Sequence, residues 1–191
     1  MATISSLVSK VASLMDVSVD TTSTPSQDQV TEWLKEGFRK LVNMLPDEQL
    51  TLESTTASGT TSSAVPTTGA LKIVSVFVAG VPATKVSYEQ LQEISSLQPS
   101  RFSGLKHCYA VASNNSISCF PQDGLTVQVR YIADPTTSIS DGIAGLVVDY
   151  AVVMAKIQDE ETEQANMLWQ KWMQDVQVAA GGMPINKDGA L

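Results

Sequence analysis

A long amphipathic pattern near the start of the chain is the feature that most constrains what it can fold into. Apolar residues recur at helical spacing from Val30 to Leu45, and Pro46 then interrupts the pattern. The segment Thr24–Gln27 supplies an N-cap, a proline at the first helical position and a glutamine that closes a capping box. We therefore predict a helix over residues 25–45, whose wide apolar face requires another element to cover it.

Three further segments show the same helical period, one before this helix and two late in the chain. Their predicted bounds are residues 3–15, 140–157 and 160–178. The acidic run Asp159–Glu163 favours a helix start there, because negative side chains stabilise the positive end of the helix dipole. The simplest way to bury all these stripes is to pack the helices against one another.

The middle of the chain shows strand signals instead. Residues 125–131 alternate between apolar and polar side chains, as in an antiparallel strand with one wet face. Residues 71–78 are rich in β-branched side chains, and an Ala-Gly turn leads from them into residues 81–87. Ser87 and Gln90 have the spacing of a capping box and predict a short helix. These signals indicate a small antiparallel sheet with one helix.

A Ser/Thr-rich segment interrupts the strand signals. Residues 54–70 contain ten Ser or Thr residues, two Gly, one Pro and no charged residue. Because this composition has no helical period, we predict a mobile loop or the tip of a long hairpin. Residues 49–53 are predicted as a strand on one side of it.

The layout predicts an α+β fold, a mainly helical bundle with an inserted small antiparallel β lobe. The β lobe spans about residues 49–132, and the chain is expected to form a single domain over residues 1–191. Two successive glycines stop the last helix and leave an extended C-terminal tail, residues 181–191.

The two cysteines are predicted to be free thiols. Cys108 and Cys119 lie on neighbouring strands of a hairpin whose predicted two-residue turn is Asn114-Asn115. That register sets Ala110 opposite Cys119 and places Cys108 diagonally one pair away. Such a diagonal pair is usually too far apart for an unstrained disulfide, and free thiols suit a reducing cytosol.

The residues that catalysis or metal binding requires do not form a recognisable set. His107 is the one histidine, and the adjacent Cys108 would point to the opposite face of a strand. A zinc site and a Ser-His-Asp or Cys-His centre therefore lack partners. The acidic run Asp159–Glu163 is interpreted as a solvated helix start, and the glycines lack phosphate-loop spacing. We predict that the protein is not an enzyme and binds no cofactor and no metal.

The charge balance argues against specific nucleic-acid binding. Twenty acidic and 12 basic residues give a net charge of −8, and no Lys/Arg run breaks that balance. A negative surface suits a wall past which DNA slides, although acidity also keeps many proteins in solution. Residues 143–155 are too short an apolar stretch to cross a bilayer, and residues 1–15 lack a signal-peptide pattern. We expect a soluble, unsecreted protein with no membrane contact.

Three tryptophans lie in or beside the apolar stripes, namely Trp33, Trp169 and Trp172. Packing in the core is the ordinary role of such residues. Because Trp169 and Trp172 cover a wide arc of one helix, they are also candidate interface anchors.

Three stretches of the chain carry a family resemblance. The first is the helix Gln29–Leu41, and the second is Val76–Leu91. The third begins at Val127–Pro135 and runs through Asp149–Ala151 to the acidic stretch Asp159–Ala165. In that order and spacing they resemble the head-to-tail adaptor (head-completion or connector) proteins of tailed phages, over most of the chain.

The resemblance implies a structural virion protein at the head–tail junction, assembled in the host cytoplasm. Members of this family form a ring, usually of twelve subunits, beneath the portal, and they extend the DNA channel toward the tail. The implied partners are the portal protein, a downstream tail or neck protein and other copies of the chain. Double-stranded DNA would pass through without specific binding.

The resemblance also implies where the contacts lie. The C-terminal segment commonly docks on the portal, and the candidate docking residues are Gly181, Gly182, Met183, Pro184, Ile185, Asn186 and Leu191. The β lobe and its loops commonly face the next tail component. That points to residues 54–70 for a tail-side or lumen contact.

Two other functions stay open on the sequence. Another neck or tail-completion protein would share the acidity, the helices and the assembly surfaces. A non-viral domain whose β lobe holds a small ligand would instead need an apolar pocket with convergent polar groups. Ring assembly on a portal separates the adaptor from the ligand-binding domain.

Overall fold

Two compact units make up the chain. The computed structural model describes residues 1–96, 106–112 and 115–181. A helical unit comprises Met1–Glu53 and Asp134–Leu191, and a β unit comprises Ser54–Ala133. Within the described residues there are five α-helices and ten strands in three sheets, so that 46% are helical and 25% extended. The fold is α+β, and the prediction of a mainly helical bundle is wrong because the strands form sheets with a core of their own.

The elements follow one another in a helix–sheet–helix order. The helices are α1 (Ile4–Met15), α2 (Gln27–Met44), α3 (Tyr88–Ser96), α4 (Asp141–Gln158) and α5 (Thr162–Ala179). The strands are β1 (Ala2–Thr3), β2 (Ser54–Thr60), β3 (Val65–Pro66), β4 (Ala70–Val78), β5 (Val81–Pro82), β6 (Thr84–Lys85), β7 (Cys108–Val111), β8 (Ser116–Phe120), β9 (Thr126–Ala133) and β10 (Ser138–Ile139). Apart from α3, the helices lie where the helical periods at the two ends of the chain predicted them.

In the helical unit, α2 packs on α4, α4 packs on α5, and α1 contacts both α2 and α4. The approach of α2 to α4 is close at Gly37, where a Cβ atom would lie 2.9 Å from Cδ1 of Tyr150. Arg39 on α2 donates two hydrogen bonds of 2.8 Å to Asp134 and one of 2.9 Å to Glu32. Large side chains with almost no exposure fill this core, among them Val11, Val30, Leu34, Phe38, Leu41, Leu50, Ile139, Tyr150 and Trp172.

The start of α2 lies two residues later than predicted. Ser26, not Thr24, is the N-cap, and it closes a capping box with Gln29 through hydrogen bonds of 2.9 and 3.3 Å. The residues before it form a turn around Asp20, whose carboxylate accepts the backbone N–H groups of Thr22 and Ser23. Both serine and threonine fit a cap at this spacing, so the local turn decides which one is used.

The β unit consists of two four-stranded sheets with a shared core. Their strand orders are β2-β9-β4-β5 and β3-β8-β7-β6, and only the β6–β7 pair is parallel among these pairs. Helix α3 packs against β7 and β8, and its capping box of Ser87 and Gln90 is confirmed by hydrogen bonds of 3.0 and 3.1 Å. The buried residues of the main core are Val65, Val76, Val78, Tyr109, Ile117, Cys119, Val127 and Val129.

The Ser/Thr-rich segment is largely extended chain in sheets, and the loop prediction for it is wrong. Strand β2 pairs with β9 in one unbroken antiparallel register, from Ser54 opposite Ile132 to Thr60 opposite Thr126. Residues 49–53 are a turn and a 3-10 helix, Thr51–Glu53, instead of the predicted strand. Strand β2 obtains its backbone hydrogen bonds by pairing with β9. Its side chains are small and show no strand pattern, so the sequence alone did not indicate this pairing.

The hairpin of β7 and β8 differs from the predicted register by one residue. Tyr109, not Ala110, lies opposite Cys119, and Cys108 lies opposite Phe120. The Asn115 N–H donates to the Ala112 carbonyl at 3.0 Å, and Asn114 lies outside the described residues. Cys108 and Cys119 are therefore adjacent in register and face opposite sides of the sheet. Both are free thiols, as predicted.

Candidate functional site

Three aromatic side chains form a cluster between α4 and α5. Tyr150 and Trp172 have ring centroids 5.3 Å apart, and Trp169 lies 5.2 Å from Trp172 and 6.1 Å from Tyr150. The indole N–H of Trp172 donates a 2.8 Å hydrogen bond to the Leu146 carbonyl. Helical spacing on α4 and α5 brings these rings together, and their tilted packing locks the two helices.

Charged groups from α2 cover one side of this aromatic cluster. The Tyr150 hydroxyl donates to Glu36 at 2.7 Å, and the Lys40 ammonium lies 5.0 Å from the Tyr150 ring centroid and 5.4 Å from that of Trp169. Hydrogen bonding to Tyr150 raises the pKa of Lys40. Burial, followed by the bond to Glu36, raises the pKa of Tyr150. Both groups therefore keep their protons at neutral pH, as a structural contact requires.

The two candidate interface anchors have different environments. Trp172 is only 1% exposed and packs in the core of the helical unit, whereas Trp169 is half-buried. Two residues before Trp169 on α5, Met167 is 64% exposed. Of the two tryptophans, only Trp169 has side-chain surface that another protein could contact, and its ring packs against the buried Trp172.

A groove of about 270 Å³ opens between α1, α4 and α5. It is lined by Leu14, Asp149, Val152, Lys156, Leu168, Lys171 and Trp172. Its floor is apolar, and the ammonium groups at its rim are paired, Lys156 with Glu161 at 3.1 Å and Lys171 with Asp175 at 3.4 Å. Leu14 is exposed although it is apolar. This groove can accept an apolar side chain from another protein surface.

The predicted portal-docking residues follow directly after α5. Gly181 has a left-handed φ of 81° and its N–H donates to the Val178 carbonyl at 3.0 Å, which ends the helix. The other candidate docking residues, Gly182, Met183, Pro184, Ile185, Asn186 and Leu191, lie outside the described residues. The docking role remains a prediction.

His107 has one acidic partner in the β unit. Its Nε2 lies 2.9 Å from the Asp123 carboxylate, which also accepts a 2.8 Å hydrogen bond from Thr61. The Thr61 hydroxyl in turn accepts the Gly124 N–H at 2.9 Å. Although burial opposes the shift, the bonds from Thr61 and His107 lower the pKa of Asp123. The arrangement ties the turn before β9 to the residue after β2, and the Thr61 hydroxyl bonds to Asp123 and not to His107.

The cysteine thiols are buried and unreactive in character. Burial raises the pKa of Cys119 to about 11 and also raises the pKa of Cys108. A thiol with a raised pKa is protonated at neutral pH and is a poor nucleophile or metal ligand. Across the described residues, no group of three or more His, Cys, Asp or Glu could hold a metal ion. Nor is any helix in that part of the chain both long and apolar enough to cross a membrane.

Sequence reasoning missed the role of the Ser/Thr-rich segment in this unit. Thr61 and Thr67 are almost fully buried, and the Thr67 hydroxyl donates to the Asn115 carbonyl. Gly59 lies so close to Val65 that a Cβ would meet a methyl group at 2.7 Å. The signal available in the sequence was the absence of charge over residues 54–70, which permits burial of the small residues.

The described residues thus hold an aromatic cluster, paired charges and one apolar groove on the helical unit. The family model of the SU10 adaptor protein matches residues 2–184, nearly the whole chain. The chain therefore belongs to that family, and the resemblance to phage head-to-tail adaptors is confirmed. No curated protein matches the chain. A structural adaptor family favours a virion component that is not an enzyme and that contacts portal and tail components.

Proposed function

We propose that this protein is the head-to-tail adaptor of a tailed phage, forming a ring beneath the portal and extending the DNA channel to the tail. Twelve copies is the expected number. The observation that carries the proposal is the adaptor family match over residues 2–184, which includes both units. The net charge of −8 supports a channel wall that DNA passes without specific binding.

Portal docking is assigned to the residues from Gly181 onward. The segment from Met183 to Leu191 carries apolar residues and only two charged ones, Lys187 and Asp188. A short segment of this kind can be ordered on a partner surface, where burial of its apolar residues offsets the entropy of ordering. The left-handed φ of Gly181 ends α5 directly before this segment.

Removal of Met183–Leu191 tests this assignment. The truncated protein should keep its melting temperature in circular dichroism and should fail to co-sediment with purified portal rings. A variant with the same nine residues in scrambled order keeps length and composition, so its failure to bind shows that the order of the residues matters. If the truncated chain co-sediments as well as the full chain, the docking assignment is wrong.

Ring contacts are assigned to the groove between α1, α4 and α5, which Trp172 lines and against whose ring Trp169 packs. Leu14 and Val81 are each 56% exposed, but only Leu14 lines the groove. Leu14→Asp should leave the monomer folded and reduce ring formation on the portal, because a charge enters an apolar contact. Val81→Asp is the matched control and should assemble normally. Equal ring counts in negative-stain images would contradict the assignment.

The quaternary prediction distinguishes this function from other classes. The isolated protein should be monomeric or weakly associated by light scattering, and mixing with its portal should give one complex of fixed stoichiometry. A tight dimer that does not bind portal would exclude the adaptor function and leave a ligand-binding domain or another neck component.

A further inference from the structure

The four edges of the two sheets in the β unit are not equally protected. Strands β3, β5 and β6 each have two residues, and each contains a proline or a lysine. Short length, proline and lysine are the usual means by which sheet edges avoid pairing with other chains. Strand β2 is the fourth edge, and it has seven residues with neither proline nor charge.

The hydrogen-bond register shows which groups of β2 point outward. The Thr61 N–H donates to the Leu125 carbonyl at 2.9 Å, directly beyond the pair of Thr60 and Thr126. Bonded and non-bonded pairs alternate in an antiparallel ladder, so Ala57 and Gly59 bond to β9. The backbone N–H and C=O groups of Thr56 and Ser58 then face away from β9.

These outward groups have exposed surroundings. Thr56 and Ser58 are both exposed, and within the described part of the chain neither makes a hydrogen bond outside the strand ladder. The inward side chains of β2 are small, so the strand adds little bulk to the core that Val127 and Val129 build. Because β2 contributes so little apolar volume to the core, we attribute its length of seven residues to a binding role of its edge.

We propose that the edge of β2 accepts an extended strand from a different virion protein, which adds to the sheet beside Thr56 and Ser58. The incoming segment should be low in charge and carry Ser, Thr or other β-branched residues opposite them, since such cross-strand pairs are favourable. This inference rests on the proposed adaptor function and names the means of joining to the downstream neck or tail component.

Within the described residues, a second copy of the chain offers no edge that fits β2 in a ring. Pairing of β2 with β2 would be two-fold symmetric and would close a dimer, whereas a ring needs a head-to-tail contact. The other three edges of the β unit, with two residues each, are too short to match seven residues. The occupant is therefore another protein, and self-pairing becomes an outcome of the test.

The test uses heads from a phage mutant that lacks this protein, the purified protein and purified tails of the same phage. Ser58→Pro removes one outward N–H and leaves the ladder to β9 intact. It should bind heads as the wild type does, measured by co-sedimentation, and yield at least about tenfold fewer infectious particles once tails are added. Ser58→Val keeps the N–H and should restore joining to within about twofold.

Ser58→Lys provides the second variant in case the proline disturbs the fold, which circular dichroism reports. It keeps every backbone hydrogen bond between β2 and β9, but a charged side chain on the edge disfavours pairing with another strand. The yield of infectious particles should therefore fall as it does for Ser58→Pro. Normal joining with a folded Ser58→Pro or Ser58→Lys protein overturns the proposal. So does a wild-type dimer in light scattering that Ser58→Lys dissociates. Failure of wild-type protein to bind heads would instead contradict the adaptor function itself.

Discussion

The close contact between α2 and α4 makes Gly37→Ala the most decisive stability test. An added Cβ would lie 2.9 Å from Cδ1 of Tyr150 and 3.1 Å from its Cβ and Cγ, inside normal contact distance. Tyr150 has no exposed surface, its hydroxyl bonds to Glu36, and its ring packs on Trp172. The ring therefore has little room to move away from the new methyl group.

Two opposing effects set the size of the change. Replacing glycine by alanine inside a helix stabilises it by about 1 kcal/mol, while overpacking a core costs about 1–3 kcal/mol. Because the contact involves ring and Cβ atoms of a buried tyrosine held by Glu36 and Trp172, we expect the overpacking cost to be the larger. Gly37→Ala should lower the free energy of unfolding by up to about 2 kcal/mol.

Gly145→Ala is the matched control on the other helix of the pair. Gly145 is an exposed residue of α4, and an added Cβ would meet no described atom within 4 Å. Only the helix-propensity gain then applies, so this variant should be more stable than the wild type by about 0.5–1 kcal/mol. The two glycine substitutions should therefore have opposite signs.

Urea denaturation followed by tryptophan fluorescence measures both variants, since Trp169 and Trp172 lie beside Tyr150. The midpoint should fall for Gly37→Ala and rise for Gly145→Ala, with an unchanged slope. In a Tyr150→Ala background the ring is absent, so the cost of Gly37→Ala should shrink. A Gly37→Ala protein that gains as much stability as Gly145→Ala would refute the packing argument.

Three further perturbations concern a cap, a buried hydroxyl and a thiol. Ser26→Ala removes the N-cap of α2 and should lower the free energy of unfolding by about 1 kcal/mol in urea titrations. Thr61→Val leaves the Asp123 carboxylate and the Gly124 N–H each short of one partner and should cost about 1–3 kcal/mol. Because burial raises the pKa of Cys119 from 9.0 to about 11, the unfolded chain loses this proton first. Stability should therefore fall as pH rises from about 9 to 11, by up to about 3 kcal/mol, and Cys119→Ala should flatten that part of the pH profile.

Each of these has a clear contrary result. An unchanged urea midpoint for Ser26→Ala would contradict a stabilising role for this N-cap. A Thr61→Val protein as stable as the wild type would show that solvent replaces the hydroxyl. An alkaline profile that is the same with and without Cys119 would assign the loss of stability to other groups, such as Tyr109, whose pKa burial also raises.

The helices were predictable because each depends on a local pattern that repeats within the element itself. The stripe from Val30 to Leu45 is buried as expected, and the acidic run before Ala165 is solvated. The capping box of Ser87 and Gln90 forms as its spacing indicates. The cap of α2 was misplaced because two candidate serine or threonine residues had equivalent spacing, and only the turn around Asp20 separates them.

The β unit was less predictable because strand pairing depends on residues distant in sequence. Nothing within residues 54–60 specifies a strand, and their small side chains gain their order from pairing with β9, some seventy residues later. The β7–β8 register differs by one residue for a local reason: the turn is not the predicted two-residue turn, so Tyr109 lies opposite Cys119. The outward orientation of the Ser58 backbone groups follows from the register between β2 and β9, which the sequence alone does not give.

The sequence by itself determined the helical periods and the family to which the chain belongs, because each is carried by local spacing or residue type. The tertiary structure decided that residues 54–60 of the Ser/Thr-rich segment form a sheet edge and that Gly37 lies against the Tyr150 ring. It also decided that Trp172 is in the core while Trp169 is half-buried. Those outcomes depend on which surfaces meet, and contacts between distant segments are set by packing and not by any one segment's pattern.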